Sequence, residues 1–166
     1  MKFSYMIQSQ LKKRLIIGSA NFSQSYGADK TKVSELQIKK ILDLAKKNNI
    51  YKIDTAETYL KQKKIFSKID NKFEFIYKII PSNEWLSLDF SLQKLEYFLN
   101  NLNKNKIDTL LFHDTKILFK KEGIKIFDNL ENLKKRKYFK KIGISIYDTN
   151  DLDYITSNYN FDVVQC

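Results

Sequence analysis

Cysteine is almost missing from this sequence: the only one among 166 residues is Cys166, the last. No intrachain disulfide can form, a cysteine-rich metal site is excluded, and a reducing compartment fits. Glycine and proline are scarce, at four and one. With abundant Lys, Asn and Ile they give the residue bias that A/T-rich codons impose on any protein. Long apolar runs are missing too. The start, Met1 to Gln8, turns polar before a signal peptide's apolar region could form, and no later run approaches the roughly 20 residues needed to span a bilayer. A cytoplasmic protein without a membrane partner is expected. Acidic residues are outnumbered, 19 against 30 Lys and Arg, for a formal net charge of +11. Such a balance raises nucleic acid as a partner. The bases, however, are spread along the chain, as in Lys12-Lys13-Arg14, Lys39-Lys40 and Lys134-Lys135-Arg136-Lys137, without an aromatic-interleaved stripe. A solvated basic surface is the better reading, and no specific nucleic acid is expected.

What is present suffices for a core: 43% of the residues are hydrophobic, and the length fits one domain, residues 1–166. Short apolar runs alternate with amphipathic segments, as βαβ units require. The runs begin at Leu15, Ile50, Phe73, Ile107, Ile142 and Phe161, which predicts six parallel strands. Ser34-Glu35-Leu36-Gln37 is a capping-box sequence, followed by Ile38, Ile41, Leu42 and Ala45 on one helical face. Ile65 and Ile69 mark a shorter helix. Leu88, Leu92, Leu95, Leu99 and Leu102 form a stripe with Ser87 as its N-cap, Ile126 to Leu133 another, and Leu152 with Ile155 a last short one. Alternating units of this kind build either an open doubly wound sheet or part of a (β/α)8 barrel. An open nucleotide-binding sheet usually has a Gly-rich turn after its first strand. Gly18-Ser19-Ala20-Asn21-Phe22 offers one glycine and no phosphate cradle, so an incomplete (β/α)8 barrel of about six βα units is expected.

Barrel enzymes carry their catalytic groups just after the strands. Asp54 follows the second predicted strand, Tyr59 lies five residues on, Lys78 ends the third, and His113, the only histidine, ends the fourth. Singly, each has a packing or capping explanation. Together they form a coherent set. A free tyrosine has a pKa of roughly 10; a neighbouring ammonium stabilises the phenolate, a carboxylate keeps that ammonium charged and placed, and an imidazole can orient a carbonyl oxygen. Such a set protonates an oxygen while another agent supplies a hydride.

Asp54-Thr55-Ala56-Glu57-Thr58-Tyr59, Phe75-Ile76-Tyr77-Lys78, Ile107 to Asp114, Ile142-Gly143-Ile144-Ser145 and Val163-Val164-Gln165, in that order and spacing, resemble the aldo-keto reductase superfamily. The resemblance implies a barrel that uses NADPH, less often NADH, to reduce an aldehyde or ketone to an alcohol. By position Tyr59 resembles the proton donor, Lys78 and Asp54 the pair that tunes it, and His113 the residue that orients the carbonyl. Ser145 and Gln165 fall where the family bonds the nicotinamide carboxamide, and Gly18-Ser19 where backbone passes close to the cofactor. Phe22, Tyr26 and Trp85 fall in loops that would border the small-molecule carbonyl substrate. No metal is implied.

The sequence departs from the family in three places. Leu60-Lys61-Gln62-Lys63 replaces the usual residues after the tyrosine, and Ile146 stands where many members carry an Asn. Barrels of this type need roughly 250 residues, so the chain resembles the first two-thirds of a reductase. That leaves a second reading, a catalytically inactive truncated barrel acting as a binding or assembly remnant. Self-association through open barrel edges is expected either way.

Overall fold

The computed structural model describes residues 14–23, 25 and 32–166. Six strands, β1 (Ile17–Gly18), β2 (Lys52–Ala56), β3 (Glu74–Ile79), β4 (Ile107–Phe112), β5 (Phe139–Ser145) and β6 (Val163–Gln165), pair in chain order. Every pairing is parallel. The helices are α1 (Ala20–Ser23), α2 (Glu35–Lys47), α3 (Lys63–Phe66), α4 (Leu88–Leu102), α5 (Lys121–Lys135) and α6 (Leu152–Asn158). Parallel strands need a crossover between them, and this alternation supplies it. The architecture is an incomplete (β/α)8 barrel.

The helix ends follow local chemistry. Ser34 caps α2 by accepting from Gln37 N, and the Gln37 side chain accepts in return from Ser34 N at 2.9 Å, so the capping box closes. Ser87 caps α4 by accepting from Phe90 N. Asn103 ends α4 in the left-handed region at φ 52°, which asparagine tolerates better than most residues. Along α2 the expected face holds at Ile38 and Ala45, which are buried, whereas Ile41 is exposed. The third predicted helix shrinks to Lys63–Phe66, and Ile69 is buried beyond its end.

Strand alternation divides the side chains between two faces. Ile53, Phe75, Tyr77, Ile79, Leu110, Phe112, Ile142 and Ile144 join the main core beneath Leu95, Phe98, Leu102, Ile126, Leu130 and Leu133 of the helices. Asp54, Ile76 and Lys78 have the opposite parity, and register sets Asp54 beside Ile76 and Ala56 beside Lys78. β5 starts three residues before its apolar run, at Phe139. Lys140 interrupts the hydrophobic pattern because its ammonium is spent on Glu74 Oε1 at 2.5 Å and Asp108 Oδ1 at 3.1 Å. Gly143 lies where β5 and β6 approach too closely for any side chain: a Cβ there would collide with the Val163 carbonyl oxygen and lie 2.7 Å from Leu111 Cδ2.

Candidate active site at the strand ends

The C-terminal ends of the parallel strands share one rim, and the polar residues following them gather there. Lys78 Nζ donates to Asp54 Oδ1 and to Gln165 Oε1, the latter at 3.1 Å, while Gln165 Nε2 donates to Asp54 Oδ2. Both members of the ion pair are largely withdrawn from water, with side chains 11% and 13% exposed. Burial of this depth is sustainable because each charge meets more than one partner. The Asp54 backbone is pinned from β1: Ser19 N and Ser19 Oγ both donate to the Asp54 carbonyl, at 3.0 and 2.8 Å.

His113 is fixed through its backbone, whose N–H donates to Ile79 O at 2.8 Å. Its Nδ1 is buried with no hydrogen-bond partner among the described residues. Burial, and then the Lys78 ammonium, hold its pKa below the usual imidazole value, against the weaker pull of the Asp54 and Asp114 carboxylates. At neutral pH the ring is therefore neutral, with one N–H to donate and one nitrogen to accept. Tyr59 is buried, on the 3-10 segment Glu57–Gln62 that leaves β2. Glu57 secures that segment by accepting from Ile80 N at 3.2 Å, which ties the exit of β2 to the exit of β3.

Of the cofactor candidates, Ser145 is buried on β5 and paired in register with Gln165 on β6, whose carbonyl accepts from Ile146 N at 2.8 Å. A Cβ added to Gly18 would meet none of the described residues within 4 Å. Ser19, beside it, is buried and spends both donors on the Asp54 carbonyl. Two of the loop aromatics are packed inward in the described structure. Trp85 is 2% exposed and packs with Phe90 and Phe98, while its carbonyl accepts from Asn129 Nδ2 at 2.9 Å and Ser91 Oγ at 3.1 Å. Phe22 is equally buried, its ring 6.4 Å from that of Phe66. Both rings gain more from the core than from an open rim. Tyr26 lies outside the described residues. Among the described residues no cluster of His, Cys, Asp or Glu could hold a metal, and no helix is long and apolar enough to cross a membrane.

Comparison with known families decides the kinship: the aldo/keto reductase family model matches residues 14–166. The chain belongs to the aldo/keto reductase family. Solved structures agree in fold. The thermostable aldo-keto reductase Tm1743, solved with the inhibitor epalrestat, superposes with a TM-score of 0.65 at 18% identity, over 91% of this chain and 57% of that one. The holo form of AKR11C1 from Bacillus halodurans gives 0.65 at 17%, over 90% and 51%. A variant of Gox0644 in complex with NADPH gives 0.58 at 20%, over 86% and 48%. This chain thus spans about half of each reductase. No curated protein sequence matches it.

Within the family, the residues that the sequence singled out separate into two groups. Lys78, His113, Ser145 and Gln165 sit at or next to the C-terminal ends of β3 to β6, whereas Asp54, expected just after its strand, lies in the middle of β2. Phe22 and Trp85 are core residues of the described structure. Sequence reasoning overlooked Glu57, which lies inside the quoted Asp54 to Tyr59 run; its spacing to Ile80 carries no one-dimensional signal.

Proposed function

We propose that this chain is an NAD(P)H-dependent oxidoreductase that reduces an aldehyde or ketone to an alcohol, with Tyr59 as proton donor. The observation that carries the reading is the buried Asp54–Lys78 pair beside a neutral His113 at the strand ends of a family member.

The residues present fit the nicotinamide end of the cofactor. Among the described residues nothing crowds the Gly18 side of the backbone, which leaves room for a flat ring, and the buried Ser145 with the Gln165 amide offers polar groups for a carboxamide. When bound, the reduced nicotinamide supplies the hydride. His113 donates a hydrogen bond to the carbonyl oxygen and orients it. Tyr59 delivers the phenolic proton to that oxygen as negative charge develops there. Lys78, held by Asp54, stabilises the phenolate left behind and favours its reprotonation. Burial strengthens each of these interactions by excluding water. NADPH is the preferred donor by resemblance, and the substrate is a small carbonyl compound in the cytoplasm.

β1 and β6 each have one neighbour in the described sheet, and Val164 on β6 is 42% exposed. We extend the proposal to self-association through these edges, because unpaired strand edges template further pairing.

The test is NADPH oxidation, followed by its absorbance, with a panel of aldehydes and ketones. Turnover that disappears in Tyr59→Phe supports the reading. Undiminished turnover in that variant would sink it.

A further inference from the structure

We propose that Gln165 is a positioning residue: its side-chain amide reaches across the sheet, closes a ring with Asp54 and Lys78, and fixes the Lys78 ammonium. β6 is separated from β3 by two strands and from β2 by three. At the usual strand spacing of about 4.8 Å, a flat sheet would set β6 roughly 14 Å from β3 and roughly 19 Å from β2. One glutamine side chain cannot bridge such gaps. Yet Gln165 contacts both Lys78 and Asp54, so the sheet curls until the ends of β2, β3 and β6 meet.

The chemistry of the tie is specific to an amide. A carboxylate only accepts and an ammonium only donates, whereas a primary amide does both. Gln165 directs its oxygen to Lys78 Nζ at 3.1 Å and its nitrogen to Asp54 Oδ2, and Lys78 completes the ring by donating to Asp54 Oδ1. A glutamate could receive from Lys78 but would repel Asp54. A leucine of similar length could do neither.

The tie acts on the most flexible member of the site. The four-carbon stem of a lysine leaves its ammonium free to wander unless several partners hold it. Asp54 alone leaves that ammonium a pivot; the second acceptor removes it. Gln165 itself is anchored, because Ile146 N donates to its carbonyl at 2.8 Å and register sets it beside Ser145. One N–H and one lone pair of the amide stay available. Holding the pair is therefore compatible with the nicotinamide contact assigned by resemblance. The bearing of the tie on carbonyl reduction rests on the proposed function, but the tie itself does not.

The experiment reads Lys78 directly and needs neither cofactor nor carbonyl. The folded chain is treated at a fixed, mildly alkaline pH with a lysine-acylating reagent, and modification of Lys78, Lys52 and Lys140 is followed by peptide mass spectrometry. Gln165→Leu is expected to speed modification of Lys78 by about tenfold, the loss of one charge-assisted hydrogen bond. Lys52 and Lys140, near the opposite strand ends, should stay within twofold. Gln165→Glu is expected to slow Lys78 below the wild-type rate, because a second carboxylate holds the proton. General loosening would speed all three lysines in both variants and would overturn the proposal, as would an unchanged Lys78 rate. Should Gln165→Leu fail to fold, Gln165→Glu decides by the sign of its effect. A chain with no reductase activity that still shows these rates keeps the tie and refutes only the proposed function.

Discussion

Lys52 and Asp108 stand on strands that are not neighbours, yet the Lys52 ammonium donates to Asp108 Oδ2 at 2.8 Å across the intervening β3. Lys140 on β5 reaches the other oxygen, Asp108 Oδ1, at 3.1 Å and also Glu74 on β3. All four residues lie at the first or second position of their strands. This network binds β2 to β5 at the end opposite the candidate active site.

Asp108→Asn should therefore destabilise the fold by about 1–3 kcal/mol, since Asp108 is 6% exposed while both lysines can still reach water. Burial works against ionisation of Asp108, but bonds from Lys52 and Lys140 prevail and hold its pKa below the usual carboxylate value. A carboxylate lowered on folding contributes stability above its unfolded pKa, and loses it as pH falls through the folded value. Wild-type stability should drop on acidification from about pH 4 downward, and Asp108→Asn should drop less over that window. Urea melts at stepped pH measure both slopes; parallel slopes would remove Asp108 from the account.

Tyr59→Phe should lower turnover by at least about a hundredfold, the contribution of one positioned proton donor. Lys78→Met should be comparably damaging, because it removes the cation beside the phenol and leaves Asp54 without its ion-pair partner. Steady-state rates at neutral pH test both. A Lys78→Met rate equal to wild type would make Lys78 a structural residue only.

The pH profile tests the state of His113. Its pKa lies below the usual value of about 6.5, so the neutral ring persists into mildly acidic solution. The acid limb of kcat/KM should fall below that value and vanish in His113→Phe. The same group stabilises the fold above its unfolded pKa, and this contribution is lost as pH falls through the folded one. An acid limb centred above pH 7 would contradict a depressed imidazole.

Two glycines should respond in opposite ways. Gly143→Ala forces a methyl group into the Val163 carbonyl and Leu111, and should cost about 1–3 kcal/mol or prevent β6 from docking. Gly18→Ala meets none of the described residues within 4 Å and should leave thermal stability nearly unchanged, while weakening NADPH binding by titration. Equal melting temperatures for the two variants would refute the crowding at Gly143.

The edges of the sheet make the last expectation. Among the described residues β1 and β6 pair on one side only, and sedimentation of this chain should show concentration-dependent association. A monodisperse monomer with cooperative unfolding would count against edge pairing.

Element order and type were legible in one dimension because they rest on local physics. The capping box at Ser34, the leucine stripe from Leu88 to Leu102 and the apolar run Ile107–Phe112 each appear where the sequence put them. Boundaries drifted where a charge sat inside a strand, as at Lys140, because its partners Glu74 and Asp108 lie 66 and 32 residues away. Asp54, Lys78 and His113 could be named from the sequence, since each follows or ends an apolar run, and Ser145 and Gln165 through the resemblance to the family. Their meeting could not. Curvature of the sheet alone brings Gln165 to Asp54 across 111 residues, and tertiary packing alone buries Trp85 and Phe22. Composition and periodicity fix which residues seek the interior and at what spacing. Which charge meets which, and which ring finds space inside, depends on distances that exist only once the strands have curled.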